Sequence, residues 1–297
     1  YPTIVPYADN RYVSYTLTDQ MSMLDDKLQV ILGARYQDID TKNLYKKTKY
    51  SSDKISPSLG LVVKPFGEDL SFYASYVEGL SEGVTVSDMT YPTATNKGET
   101  LAPYQTKQYE LGTKYQVGSW LNTLALYQIE KPEVYQDTVT KAVKDDAETR
   151  SRGIEFSTAG QLTEDLSLMA NLAYIDAEYV KSGTASQVGN TVIGTPDFTA
   201  GLGLDYKIPV VDGMSVNARA SYVSEQYLNT DNSLELPDYT ILDLGAKYAT
   251  KIGGVNTTFR ANVNNLTDEK YWSGVFGSNY AILGAGRTYK LGVTFDF

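Results

Sequence analysis

The chain of 297 residues has no histidine and no cysteine. Without an imidazole there is no Ser-His-Asp triad, no histidine general base and no histidine zinc ligand. Without a thiol there is no disulfide and no thiolate site, which says little about compartment. Positive charge is also scarce. The 26 Lys and Arg face 36 Asp and Glu, for a net charge of −10, so a nucleic-acid partner is not expected. No apolar run approaches the roughly 18–20 residues of a membrane helix; the longest, Leu59 to Val63, is broken by Gly60. The opening "YPTIVPYADN" has neither Met nor a signal-peptide pattern, and reads as the start of a piece cut from something longer.

What the chain has instead is tyrosine, 25 against 8 Phe and 2 Trp, and strict alternation. In the closing "RTYKLGVTFDF", Tyr289, Leu291, Val293, Phe295 and Phe297 alternate with Thr288, Lys290, Gly292, Thr294 and Asp296. That period of two is a strand with one apolar and one polar face. The same pattern recurs in about thirteen segments, near 11–22, 27–38, 55–65, 70–80, 107–117, 119–130, 149–160, 166–178, 197–208, 214–225, 239–249, 255–266 and 288–297. Short connections with turn residues ("LDD", "FGED", "VG", "LTED", "VVDG", "KIGG") alternate with long ones, near 39–54, 81–106, 131–148, 179–196, 226–238 and 267–287. Short turns on one rim and long loops on the other describe a transmembrane antiparallel β-barrel.

The faces argue the same way. The apolar face is Leu, Ala and Val, with Tyr near one end of many strands: Tyr36, Tyr76, Tyr115, Tyr127, Tyr174, Tyr206, Tyr222 and Tyr248. Phenol suits a lipid–water boundary because it is apolar and hydrated at once. The other face carries mid-strand charges such as Arg35, Glu110, Glu155, Asp205, Arg219, Asp243 and Arg260. These would be expensive in the dry core of a soluble sandwich or solenoid, and suit a wet or plugged lumen. An antiparallel barrel closes on an even number of strands, so thirteen points to the C-terminal part of a larger barrel; Pro2 and Pro6 argue against a fourteenth strand in the opening residues.

"NVNNLTDEKYW", Asn262 to Trp272, resembles the penultimate-strand signature of TonB-dependent outer-membrane receptors. "SPSLGLVVKP" with "LSFYASYVEGL", "YQTKQYELGTKYQ", "RSRGIEFSTAG", "LSLMANLAYIDAEY", "PDYTILDLGAKY" and "GRTYKLGVTFDF" look like further segments of that family in its usual order, from Arg11 to Phe297. Within the family the ferric-siderophore receptors look most similar, through "EKYW" and "GAGRTYKLG". Gly286 departs from the Pro of many relatives and should loosen that turn.

The resemblance implies a 22-stranded barrel in the bacterial outer membrane. Residues 1–297 would be its C-terminal part, with the N-terminal plug and early strands outside this chain. It implies no enzyme and no resident cofactor. It implies a ferric siderophore as transported substrate, energised by TonB through the plug, surroundings of outer-membrane lipid and lipopolysaccharide, and recognition of Phe297 by the barrel-assembly machinery. A passive porin-like barrel of 12–14 strands is the alternative; a surface-recognition barrel serving phage or toxin is a third.

Candidate ligand contacts are the loop aromatics Tyr91, Tyr104, Tyr135, Tyr227, Trp272, Phe276 and Tyr280, since a large, partly apolar chelate fits aromatic faces. Taken singly, each is more simply a cover for a loop base. Arg35, Arg219 and Arg260 face the lumen on this reading and would guide an anionic chelate, although pairing with Glu110, Glu155, Asp205, Asp243 or the plug is the simpler expectation. "NTDNSLE" sets Asn229, Asp231, Ser233 and Glu235 at alternate positions, but lacks the glycine of a calcium loop. "NLT" at Asn265 matches a glycosylation sequon that a bacterial outer-membrane protein would not use. No metal site and no catalytic dyad is expected.

Overall fold

The computed structural model describes residues 8–44, 48–81 and 83–297. In chain order the strands are β1 (Ala8–Met23), β2 (Leu28–Asn43), β3 (Thr48–Val63), β4 (Leu70–Ser81), β5 (Tyr104–Val117), β6 (Trp120–Gln136), β7 (Val143–Gln161), β8 (Leu166–Lys181), β9 (Phe198–Lys207), β10 (Met214–Val223), β11 (Gln226–Tyr227), β12 (Glu235–Leu236), β13 (Tyr239–Ile252), β14 (Val255–Asn264), β15 (Trp272–Gly277), β16 (Tyr280–Leu283) and β17 (Thr288–Asp296). Thirteen of them form one antiparallel sheet in chain order, β1 to β10 followed by β13, β14 and β17. Each of the thirteen alternating segments is one of these strands. The expectation about a strand in the opening residues falls on 1–7, outside the described residues, while Ala8 to Asn10 open β1.

The chain divides into two compact units. The first is Tyr1–Gly112, Tyr127–Arg152 and Ala177–Asn190; the second is Thr113–Leu126, Gly153–Asp176 and Thr191–Phe297. In the second unit the register carries the alternation from strand to strand. Leu168, Leu204, Ala218, Leu244, Val263 and Tyr289 stand side by side across six strands. One residue along, so does the polar row Ser167, Asp205, Asn217, Gly245, Asn262 and Lys290. A slip of one residue in any ladder would set charges among the leucines, so the pattern itself fixes the register. The turn between β13 and β14 is only Gly253–Gly254, at φ +59 and +90, the positive angles that a two-residue hairpin requires.

The tyrosines make two rows rather than one. On β13, Tyr248 lies toward the short turns and stacks on Phe259 at 6.5 Å. Eight residues away along the same strand is Thr240, the register partner of Tyr222, whose ring lies 6.1 Å from Phe198. In the first unit Tyr15 and Tyr36 stack at 6.5 Å beside Ile55, and eight residues along β3 Val63 pairs with Phe72. Eight residues of strand span about 27 Å, or about 20 Å of height at the usual tilt of membrane strands. Tyr127 leaves the belt: it is four residues along β6 from Thr123, whose hydroxyl meets Ser157 on the polar face at 2.6 Å.

Several stretches expected as loops are ordered strand, including 131–148, where β6 runs to Gln136 and β7 starts at Val143. The connection predicted at 39–54 is largely ribbon, because β2 runs to Asn43 and β3 starts at Thr48. Its rows, Arg11–Asp40–Ser51 and Asp9–Lys42–Lys49, are polar on the face that is apolar lower down. Beyond the aromatic row that face no longer needs to be greasy, so its apolar period stops while the hydrogen-bond ladder continues. Lys42 meets Asp9 at 3.3 Å and Lys49 meets Asp40 at 3.7 Å on this ribbon. The β3–β4 ladder begins only at Ser58, one residue past Pro57, which has no N–H to give. The connections at 226–238 and 267–287 likewise contain the hairpins β11–β12 and β15–β16.

Candidate functional site

In the first unit the long connection after β4 is docked onto the hairpin between β6 and β7. Val86, Ala94, Leu101 and Val143 form a small buried core, with Tyr91 and Val134 packed against it. Asn96 acts as a surrogate strand partner: its Oδ1 accepts the Val143 N–H at 2.9 Å and its Nδ2 donates to the Val143 carbonyl at 2.9 Å. Thr95 adds a backbone bond to Lys141 O at 3.2 Å. At the hairpin tip Asp137 accepts the N–H groups of Val139 and Thr140 and the ammonium of Lys144; Lys144 first, then those amides, hold its carboxyl well below the usual range.

This arrangement assigns three predicted ligand contacts to packing. Tyr91 belongs to the small core, and burial pushes its hydroxyl up. Tyr104 has its hydroxyl buried. Tyr135 is seated on Gly183, where an added Cβ would come within 1.8 Å of the ring.

In the second unit three connections interlock. Asn232, at φ +52, clamps Thr191 by both backbone groups, accepting its N–H at 2.7 Å and donating to its carbonyl at 3.0 Å. Gly194 N–H reaches Tyr227 O at 2.9 Å, and Asn279 N–H reaches Leu228 O at 2.9 Å. A Cβ at Gly194 would stand 3.0 Å from Val275 of β15. Tyr227 is committed to its cross-strand partner Glu235, whose charge and then hydrogen bond raise its pKa. The aromatics left presented are Trp272, Phe276 and Tyr280, at 41%, 84% and 69% exposure, all on the β15–β16 hairpin.

Among the described residues the polar-face arginines do not pair with the acids named for them. Arg35 donates to Ser14 Oγ at 3.1 Å and Arg260 to Thr294 Oγ1 at 3.0 Å. Arg219 stands opposite Asp243 in register, but Asp243 Oδ1 accepts the Asn265 N–H at 2.8 Å. Among the described residues none of the three forms an ion pair. Glu110, one of the proposed partners, is taken by Tyr73 OH at 2.5 Å and Gln108 at 3.1 Å.

Three asparagines, Asn96, Asn232 and Asn265, whose structural role the sequence reading did not assign, organise these loops. The usable signal was an Asn in a loop, a residue type that tolerates positive φ and carries both a donor and an acceptor. Asn229 spends its Oδ1 on the N–H groups of Ser233 and Leu234, so the alternating oxygens of "NTDNSLE" serve a turn. Asn265 is 3% exposed with its amide bonded, which leaves nothing for a sugar. The Gly286 turn, expected to be loose, is tied by Asp268 Oδ1 accepting the Arg287 N–H at 2.9 Å.

The family described as "TonB dependent receptor-like, beta-barrel" matches residues 1–266. The chain is 32% identical over 289 residues to the ferrichrome receptor FcuA of Yersinia enterocolitica, covering 95% of this chain and 38% of that protein. It is 28% identical over 297 residues to the ferrioxamine B receptor of Salmonella typhimurium, covering 97% and 41%. Among solved structures it is similar to BauA, the ferric preacinetobactin receptor of Acinetobacter baumannii, with 35% identity, a TM-score of 0.84 and coverage of 98% of this chain and 43% of that one. The chain thus spans well under half the length of these relatives.

Proposed function

The chain belongs to the TonB dependent receptor-like β-barrel family, and from that membership we propose that residues 1–297 are the C-terminal barrel part of an outer-membrane receptor that takes up a ferric siderophore. Barrels of this family are outer-membrane proteins, and its members are receptors rather than enzymes. The iron chelate is cargo. TonB energises its passage by acting on a plug carried outside this chain. Lipid and lipopolysaccharide surround the apolar face, and the assembly machinery reads Phe297. The passive channel gives way to this reading because the relatives that match over nearly all of the chain are named as siderophore receptors.

The observation that carries the ligand assignment is the β15–β16 hairpin. It keeps Trp272, Phe276 and Tyr280 exposed on a frame fastened to two other connections. Aromatic faces on a rigid support are what a bulky, partly apolar chelate needs. Arg35, Arg219 and Arg260 line the lumen on this reading and draw an anionic chelate inward. The experiment is uptake of radiolabelled iron, as ferrichrome and as ferrioxamine B, by cells carrying the full-length receptor. Uptake that vanishes without TonB supports the reading; uptake that persists without TonB, or is absent for every ferric chelate supplied, rejects it.

A further inference from the structure

The stretch that carries the family likeness is also among the most densely bonded in the connections. Asn265 sits at φ +54 with every polar group engaged. Its own N–H donates to Asp243 Oδ1 at 2.8 Å, its Oδ1 accepts the Glu269 N–H at 2.7 Å, and its Nδ2 donates to the carbonyls of Glu269 at 2.9 Å and Ala285 at 3.0 Å. Asp268, at φ +56, holds the Arg287 N–H on one oxygen at 2.9 Å and Lys270 Nζ on the other at 3.0 Å. Tyr271 O accepts the Gly284 N–H at 2.8 Å. The Tyr271 ring lies against Gly284, where a Cβ would be 2.4 Å away, and 4.4 Å from the ring of Tyr239. The two ends of the 265–287 connection are therefore fastened to each other and to β13.

These bonds do not build the sheet. The β14–β17 ladder runs from Asn256↔Asp296 to Asn264↔Thr288, and the Asn265 side-chain amide reaches only the connection beyond it. What they determine is the angle at which β15–β16 leaves the sheet, and the far end of that hairpin is held separately by Asn279 on Leu228.

We propose that Asn265 and Asp268 form a clamp that sets the β15–β16 hairpin as a fixed wall of the ligand site, so that Trp272, Phe276 and Tyr280 meet the chelate in place instead of closing upon it. Asn265 is a positioning residue, and its effect on affinity comes from ordering completed before the ligand arrives. The inference rests on the siderophore reading above.

The test uses the full-length receptor with N265A, N265G and N265D. Hydrogen exchange of the 272–283 amides reports the hairpin, amides of β13 and β14 report the sheet, and iron-loaded ferrichrome and ferrioxamine B are the ligands. In N265A and N265G the hairpin should exchange at least about tenfold faster with the sheet unchanged, and chelate affinity should fall by about tenfold. N265G matters because it removes any penalty of the positive φ and still loses the side-chain bonds. N265D keeps the acceptor for Glu269 N–H but sets an oxygen against the carbonyls of Glu269 and Ala285, so it should do at least as much harm as N265A. Unchanged hairpin exchange in N265A and N265G overturns the clamp. Faster exchange with wild-type affinity overturns the positioning role. If the wild-type receptor binds no ferric chelate, the siderophore reading falls and the ligand role with it, while the exchange data still decide whether the clamp exists.

Discussion

Removing the Asn96 side chain should undock the connection after β4 without unfolding the sheet. Asn96→Ala leaves the N–H and C=O of Val143 without partners, and Val143 is 2% exposed. An orphaned buried backbone group costs about 1–3 kcal/mol. Asn96 is itself half-buried, so water recovers part of that, and a net loss of about 3 kcal/mol is reasonable for the pair. That is about a hundredfold in the opening equilibrium of the docked segment. The assay is hydrogen exchange on the full-length receptor, read at the amides of Val86, Gly98 and Leu101, which bond to Glu99, Val86 and Val84 within the segment. They should lose about two decades of protection while amides of β9 and β10 keep theirs. Asn96→Asp should do at least as much harm, because the oxygen replacing Nδ2 would face Val143 O and Glu99 Oε2. Wild-type protection at 84–101 in a folded N96A receptor would refute the reasoning. Equal loss in β9 and β10 would show that the segment is not a separate docked element.

Three other perturbations follow from the local geometry. Leu24, Asp25 and Asp26 all have positive φ, at 56°, 55° and 62°, so Asp26→Gly should stabilise the β1–β2 turn by about 0.5–1 kcal/mol in denaturant titration. Asp197 has its carboxyl pushed up by burial and then by Glu225 and Asp176. A carboxyl with a raised folded pKa binds its proton more tightly in the folded state, so it costs stability at neutral pH and less as pH falls through the carboxylate range; Asp197→Asn should raise the melting temperature at pH 7 and gain little at pH 4. A Cβ on Gly160 would lie 2.4 Å from the Trp120 ring. Gly160→Ala should therefore displace that ring, cost about 1–3 kcal/mol, and change the tryptophan emission in a background where Trp272 is replaced by Phe.

Alternation was legible wherever one face had to be apolar, which is why all thirteen sheet strands could be found in the amino-acid order and why Leu204 and Asp205 could be sent to opposite faces. It failed at Asp38–Asn43 and Thr48–Lys54 because the face that is apolar lower down turns polar there, with Asp40 and Lys42 following Tyr36, so no apolar period runs through the ribbon. It failed again at Gln226–Leu236 and Trp272–Leu283, where the hairpins are short and held by contacts distant in sequence, such as Asn279 on Leu228. The ligand candidates separated for a related reason. Composition marks Tyr91 and Phe276 alike as loop aromatics; only the partners, Val86 and Val143 near one and open surface around the other, tell them apart. The motif around Asn265 was visible as a family mark, but its bonds span from Asp243 to Ala285, a range that spacing does not encode.

The two aromatic rows set a length that the surrounding membrane has to match. Rows about 20 Å apart in height suit a thin hydrocarbon layer better than the roughly 30 Å of an average bilayer. At fractions of a kcal/mol per Å, a difference of several Å amounts to a few kcal/mol of elastic strain. Reconstituted into vesicles of graded acyl length, the receptor should insert most completely and resist heating longest in the short-chain lipids. The spacing of those rows should therefore set the membrane thickness that the chain fits best.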